Sequence, residues 1–196
     1  MESRNPNAPK KGSSIKVDPI RTLKDIKLIK HNLEDDPRNL CLFVLGINTN
    51  LRASDLLQIT AGHVRHLKAG DGFTIKEKKT GKARIVTVNK AVVEAVAGLL
   101  DSREYNDADL LFTGQRGALT VPSVNRLVKR WCADINLRGN YGAHTLRKTF
   151  GVIQHEIFKV PLPELMTTFN HSSQKQTLDY LCIQSETIKN IFMNEI

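Results

Sequence analysis

Apolar residues recur with a helical period along most of this chain, and one segment, Val64 to Val88, breaks it. There FTIKEKK and ARIVTVN alternate apolar and polar residues around Thr80-Gly81-Lys82, which predicts an antiparallel β-hairpin, with a third strand expected near His66. On either side the helical spacing holds. Leu23, Ile26, Ile29 and Leu33 line one face of a helix that Thr22 and Asp25 start as a capping box. Asp35-Asp36-Pro37 opens a second helix, whose CLFVLGI run is apolar on most sides. Arg52 follows in a polar turn, and Ser54 and Asp55 open a short helix that keeps it at the edge of the core. Val92, Val96, Leu99 and Leu100 mark another helix, as do Val124, Leu127, Val128, Trp131 and Ile135 after an FTGQRG loop. A helix from about His144 to Phe158 is interrupted by Pro161 and Pro163, and Ser173 with Gln176 caps a short one carrying Tyr180. The expected fold class is α+β, mostly helical, with a small antiparallel β-sheet. A chain of 196 residues, 40% hydrophobic, is long enough to bury one such core.

Residues 1–19 hold Pro6, Pro9, Gly12 and Ser13-Ser14, with little to bury, and are expected to form a flexible basic arm ahead of one domain over 20–196. Ile188, Ile191 and Phe192 give a short amphipathic helix over 185–196, too short to stand in water without a partner surface. The odd trio Cys41, Cys132 and Cys182 predicts reduced thiols. No stretch approaches membrane-spanning length and MESRNPNAPKKGSS is no secretory signal, so a soluble, cytoplasmic protein is expected. His63 and His66 form an H-x-x-H with no third ligand in view, which favours a polar turn over a metal site.

The net charge of +9 is unevenly placed. Lys76, Lys78, Lys79, Lys82, Arg84 and Lys90 face only Glu77, and Arg126, Lys129, Arg130, Arg138, Arg147 and Lys148 face only Asp134. Such stripes would displace counterions from a DNA backbone, although a solvated basic face explains either one alone equally well.

His144 and Arg147, three apart, share one helix face and can address the same small anion. His171 follows, and Tyr180 stands nine residues beyond it, while Arg52 and Lys79 complete the set upstream. Groups that bind or protonate a phosphate thus accompany one possible nucleophile. Singly, each has a plainer reading: an ordinary aromatic for Tyr180, an ion-pair partner of Asp55 for Arg52, a helix cap for His171.

LGINTNLRASDLLQI, KKTGKARIV, HTLRKTFG, FNHSS and TLDYL, in that order between Pro19 and Cys182, resemble the catalytic domain of the tyrosine recombinase, or phage integrase, family. The likeness is to its short, catalytic-domain-only members, such as fimbrial-switch invertases. It implies that 20–196 is a catalytic domain, that Arg52 and Arg147 clamp a scissile phosphate, and that Tyr180 attacks phosphorus to leave a 3′-phosphotyrosyl enzyme. Lys79 would give the 5′-oxygen its proton, although the hairpin register leaves Lys76, Lys78 and Lys82 as alternatives. His144 would help to take the Tyr180 proton, His171 would bond a nonbridging oxygen, and Asp55 would support Arg52. Lys76, Lys78, Lys82, Arg84, Arg126, Lys129, Arg130 and Lys148 are the expected DNA contacts. The resemblance implies no cofactor and no metal. It implies a double-stranded DNA partner, no membrane, and a protein monomeric or weakly associated when free that DNA gathers into a homotetramer through the C-terminal helix docking in trans. Two departures stand out: the arm of about nineteen residues cannot supply the N-terminal helical domain of larger members, so the chain resembles the short members or else is a fragment; and Lys148 stands where many relatives carry His, with Asn170 where many carry Gly. The alternative is a recombinase-derived accessory or regulatory protein that binds DNA without cutting it.

Overall fold

The computed structural model describes residues 16–183, together with 193 and 195. The expected C-terminal helix over 185–196, and residues 1–15 of the expected arm, therefore fall outside the described stretch. Helix α1 (Leu23–Asn32) starts at Thr22, whose hydroxyl accepts from the Asp25 N–H at 3.0 Å. The Asp25 carboxylate takes the Thr22 hydroxyl proton, so the capping box closes through side chains and not through the Thr22 amide. Helix α2 (Pro37–Asn48) has Asp36 as its cap and Pro37 at its first position. Two short helices follow, α3 (Ala53–Leu56) and α4 (Ala61–Val64).

Strands β1 (Gly72–Lys76) and β2 (Ala83–Thr87) pair antiparallel, with Gly72 opposite Thr87 and Lys76 opposite Ala83. The third strand expected near His66 is not formed. His63 instead caps α4, its Nδ1 accepting from the Thr60 N–H at 3.1 Å, and this helical turn buries Val64. Helix α5 (Lys90–Asp101) starts on Asn89. The FTGQRG loop closes as a second tiny hairpin of β3 (Thr113–Gly114) and β4 (Gly117–Ala118), which periodicity over two residues cannot announce. Helices α6 (Val121–Asp134) and α7 (Ala143–Val152) follow, the latter running on through a π-helical turn, Ile153–Ile157. Helices α8 (Leu162–Phe169) and α9 (Gln174–Leu181) finish the described fold.

Helix α2 passes through the centre of the main core, with every residue from Cys41 to Gly46 buried. Phe43 meets Trp131 of α6 edge-on at 5.8 Å, and side chains of this size stabilise the fold by about 1.5–3 kcal/mol each on burial. A separate, smaller cluster of Val152, Leu165, Phe169, Leu181 and Ile183 joins the end of α7 to α8 and α9. Gly151 makes that join possible: a Cβ there would stand 2.4 Å from Leu181 Cδ2 and 2.7 Å from Phe169 Cζ.

The expected arm boundary shifts toward the N-terminus. Residues 16–20 lie as a strap over α7, because the Asp18 carbonyl accepts from Thr145 Oγ1 (2.8 Å), the Ile20 N–H donates to Thr149 Oγ1 (2.9 Å) and Lys148 Nζ donates to the Val17 carbonyl (2.9 Å). Polar side chains of α7, Thr145, Lys148 and Thr149, are what this strap satisfies. Among the described residues, no helix is long and apolar enough to cross a membrane.

Candidate active site

Five chain segments bring the sequence-predicted residues within electrostatic reach of one another. Arg52 is the residue that α3 starts from, with its side chain 21% exposed. His144 and Arg147 rise from the first turns of α7, His171 stands in the turn between α8 and α9, and Tyr180 lies on α9. His144, His171 and Tyr180 line a cleft of about 660 Å³ together with Lys16, Lys148 and Lys175. Lys79 sits in the exposed turn between β1 and β2, close enough to His144 to act on its charge. The spacing read from the sequence thus becomes a single constellation.

Local geometry explains each placement. Helix α8 ends on Asn170 in the left-handed region (φ 56°), a conformation that Asn tolerates, so the Asn in place of Gly carries little strain. The chain turns there and brings the His171 ring onto Phe169, stacked at 5.2 Å, and against Tyr180, edge-on at 5.2 Å. Thr177 Oγ1 lies 3.1 Å from His171 Nδ1, which leaves Nε2 to face the cleft. Ser173 caps α9 by accepting from the Gln176 N–H, while the Gln176 side-chain Oε1 accepts from the Ser172 N–H. The predicted S-x-x-Q box therefore forms one residue out of register on its return side.

Arg147 is 3% exposed. Its Nη2 donates to the Phe169 carbonyl at 3.2 Å and its guanidinium lies over the Phe169 ring, yet Nη1 is buried with no hydrogen-bond partner. Tyr180 Oη is likewise buried without one. Buried donors of this kind cost stability unless something binds them, and the Arg147 one is cationic. Arg52 also faces two carboxylates: Glu77 Oε2 at 3.0 Å and Asp55 Oδ2 at 3.8 Å. Asp55 was expected to support Arg52; Glu77 is the nearer partner.

The electrostatics follow from crowded positive charge. Burial, then Arg147 and Arg52, hold the His171 pKa below its ordinary value. Crowding by protein atoms, then Arg147, Lys148, Arg52 and Lys79, does the same to His144, although its side chain still reaches solvent. Burial lowers the Arg147 guanidinium to about 10, so it stays charged at neutral pH. Tyr180 is pushed up by burial, against the pull of Arg147 and Arg52, and is a phenol that needs a base to give up its proton.

The expected DNA contacts divide. Lys76, Lys78 and Lys82 are exposed on the hairpin, and Arg126, Lys129 and Arg130 are exposed on α6, though none of these six lines the cleft. Arg84 is half-buried 3.5 Å from Glu77. Lys148 differs from the other expected contacts: it is 5% exposed where it lines the cleft, and its ammonium donates to the Val17 carbonyl and to Cys182 Sγ at 3.1 Å, 5.3 Å from the Tyr180 ring centroid. Among the described residues no group of three or more His, Cys, Asp or Glu side chains could hold a metal.

The sequence profile of the phage integrase family matches residues 22–186. A protein of Bacillus subtilis (strain 168) described as a probable integrase/recombinase, YoeC, is 30% identical over 176 residues, covering 88% of this chain and 93% of its own. The fold is similar to that of the XerA recombinase, with a TM-score of 0.71 at 16% identity over 92% of this chain and 66% of that one. It is equally similar to the XerH site-specific recombinase bound to palindromic difH substrate, with a TM-score of 0.71 at 23% identity over 91% of this chain and 53% of that one. The chain thus spans between about half and two thirds of these solved recombinases.

Proposed function

Because the chain belongs to the phage integrase family, we propose that it is a site-specific recombinase that cuts and rejoins double-stranded DNA through a 3′-phosphotyrosyl intermediate. One observation carries this reading: Arg147 Nη1 and Tyr180 Oη, both buried without a partner, lie in one electrostatic neighbourhood with Arg52. A phosphodiester supplies oxygens for both guanidiniums and a phosphorus for the hydroxyl.

The chemistry follows from the side chains. Two arginines fit the nonbridging oxygens of a pentavalent transition state with fixed forks, where the added charge is largest. His144, held neutral near pH 7 by its surroundings, accepts the Tyr180 proton as the phenolate oxygen bonds to phosphorus. The bond from phosphorus to the 5′-oxygen breaks, and Lys79 gives that oxygen its proton. His171 donates to a nonbridging oxygen from Nε2, its ring fixed by Thr177. The phosphotyrosyl bond conserves the energy for rejoining to a second 5′-hydroxyl. Exposed Lys76, Lys78 and Lys82, with Arg126, Lys129 and Arg130, would contact flanking phosphates. The protein would work in the cytoplasm.

A nicked suicide substrate made from DNA flanking its own gene tests the reading. Wild type should form a covalent complex, and Tyr180→Phe should bind the same DNA and form none. Covalent trapping by the Phe variant removes the nucleophile assignment, and binding without trapping by wild type supports the accessory-protein alternative. Assembly is the second part of the proposal: free protein stays monomeric or weakly associated, and paired sites gather four copies. Light scattering with and without paired sites checks it, and a protein-only tetramer would contradict it.

A further inference from the structure

We propose that Glu77 is a positioning residue that ties Arg52 to the turn carrying Lys79, so that the phosphate clamp and the proton donor move as one unit; this deepens the recombinase reading and rests on it. In the basic run from Lys76 to Lys90, Glu77 is the single acid, and it is buried while its neighbours Lys76 and Lys78 are exposed. The β1 alternation puts it on the inward face after Phe73 and Ile75.

The Glu77 carboxylate has three partners. Oε2 faces Arg52 Nη1 at 3.0 Å and accepts from Thr80 Oγ1 at 2.8 Å, and Oε1 faces Arg84 Nη1 at 3.5 Å. Its backbone closes the turn as well: the Gly81 N–H donates to the Glu77 carbonyl at 2.8 Å, and the Glu77 N–H donates to the Lys82 carbonyl at 2.9 Å. Gly81, at φ +68°, is the residue that lets the chain reverse there. Asp55 grips the same turn from the other side, its Oδ1 accepting from the Lys78 N–H at 2.9 Å while Oδ2 faces Arg52. Lys79 therefore stands between Lys78, held by Asp55, and Thr80, held by Glu77, and both carboxylates also face Arg52.

A lysine in the exposed turn of the hairpin has little packing of its own to fix it, since the buried residues of the strands, Phe73, Ile75 and Val86, lie behind the turn. Its aim at the 5′-oxygen must come from elsewhere. Charge-assisted bonds to a buried carboxylate are strong enough to supply it. The same carboxylate holds the Arg52 fork in a fixed plane, so a shift of the turn disturbs clamp and acid together.

The test is single-turnover cleavage on two substrates, an ordinary phosphodiester and one with sulfur bridging to the 5′-carbon, whose thiolate leaves without a proton. Lys79→Ala should be slow on the first and recover on the second. Glu77→Gln should lose on the order of tenfold or more on the ordinary substrate, as removal of one charge-assisted bond implies, and recover only in part on the thiolate, because the Arg52 share of the loss remains. Thr80→Val cuts only the link to the turn, so its loss should be recovered in full, and it covers the case in which Glu77→Gln does not fold. Glu77→Gln within about threefold of wild type, an equal loss for it on both substrates, or wild-type behaviour of Thr80→Val overturns the coupling. Failure of wild type to cleave either substrate instead sinks the recombinase reading.

Discussion

Replacing Arg147 by lysine keeps the charge and removes the fork, and the geometry sets what that costs. In the proposed clamp Arg147 would do two jobs with two nitrogens: Nη2 holds the Phe169 carbonyl at 3.2 Å, and the buried Nη1, with no protein partner, would take phosphate. A single ammonium cannot do both. If it reaches the phosphate, the Phe169 carbonyl loses its partner, at about 1 kcal/mol of stability, and the turn that sets His171 loosens. If it stays on the carbonyl, the transition state loses a donor worth about 3–4 kcal/mol, or on the order of a hundredfold to a thousandfold in rate. Binding should weaken by less than about tenfold, because the positive charge that releases counterions remains. Single-turnover cleavage of a nicked suicide substrate measures the first quantity and a half-site gel shift at fixed salt the second. Cleavage within about threefold of wild type would refute the clamp role. A loss in binding as large as the loss in rate would refute the claim that the contact tightens in the transition state.

Tyr180→Phe removes a buried hydroxyl that no protein group bonds, so thermal unfolding should be unchanged or slightly raised while covalent trapping disappears; a loss above about 1 kcal/mol would show that the hydroxyl is bonded within the fold. The pH dependence has two parts of known sign. His144 is held below its ordinary value of 6.5, so its proton-accepting form persists as pH falls through 6.5 and the acid limb of the cleavage rate should inflect lower. His171 shifts the same way, and loss of that limb in His144→Asn, measured on the ordinary substrate, assigns it to His144, whereas its persistence would assign it to His171. For stability, burial pushes Glu77 up, but the Thr80 hydroxyl, Arg52 and Arg84 outweigh it and hold its carboxyl below its ordinary range. That contribution is present above the ordinary carboxylate range and is lost as pH falls through the depressed value. The unfolding free energy of wild type should therefore fall in acid by more than that of Glu77→Gln, and parallel curves would deny the ion pair.

The sequence carried the helices because their signals are local: Thr22, Asp36, Asn89 and Ser173 each cap the helix that follows. It carried the hairpin because alternation around Gly81 is also local. It could not carry the strap, since the partners of residues 16–20 are Thr145, Lys148 and Thr149, more than a hundred residues away. Lys148 illustrates the same limit. A lysine in a basic stripe is ordinarily a solvated cation, and only the chain crossing above α7 supplies the carbonyl that buries it. Glu77 was more nearly legible: its place on the inward face of β1 and its isolation among cations both pointed to a paired carboxylate, but the identity of Arg52 as its partner is a tertiary fact.

The proposed nucleophile and the proposed clamp belong to different packing units. Arg52 and the first turn of α7 rest on the main core, whereas Tyr180 lies on the small cluster of Val152, Leu165, Phe169, Leu181 and Ile183. Two buried cations cross the seam. Arg147 reaches from α7 to the Phe169 carbonyl, and Lys148, the next residue, reaches Cys182 just beyond α9 and lies against the Tyr180 ring. Each therefore adds a polar contact, which has little range of tolerated geometry, to the apolar join that Val152 and the close packing at Gly151 make between α7 and the nucleophile's unit. Small units with few buried contacts open at lower free energy than the core they lean on. The position of Tyr180 relative to the proposed phosphate thus depends in part on these two bonds, and a change that loosens them should lower cleavage while the main core, and the proposed DNA contacts built on it, stay folded.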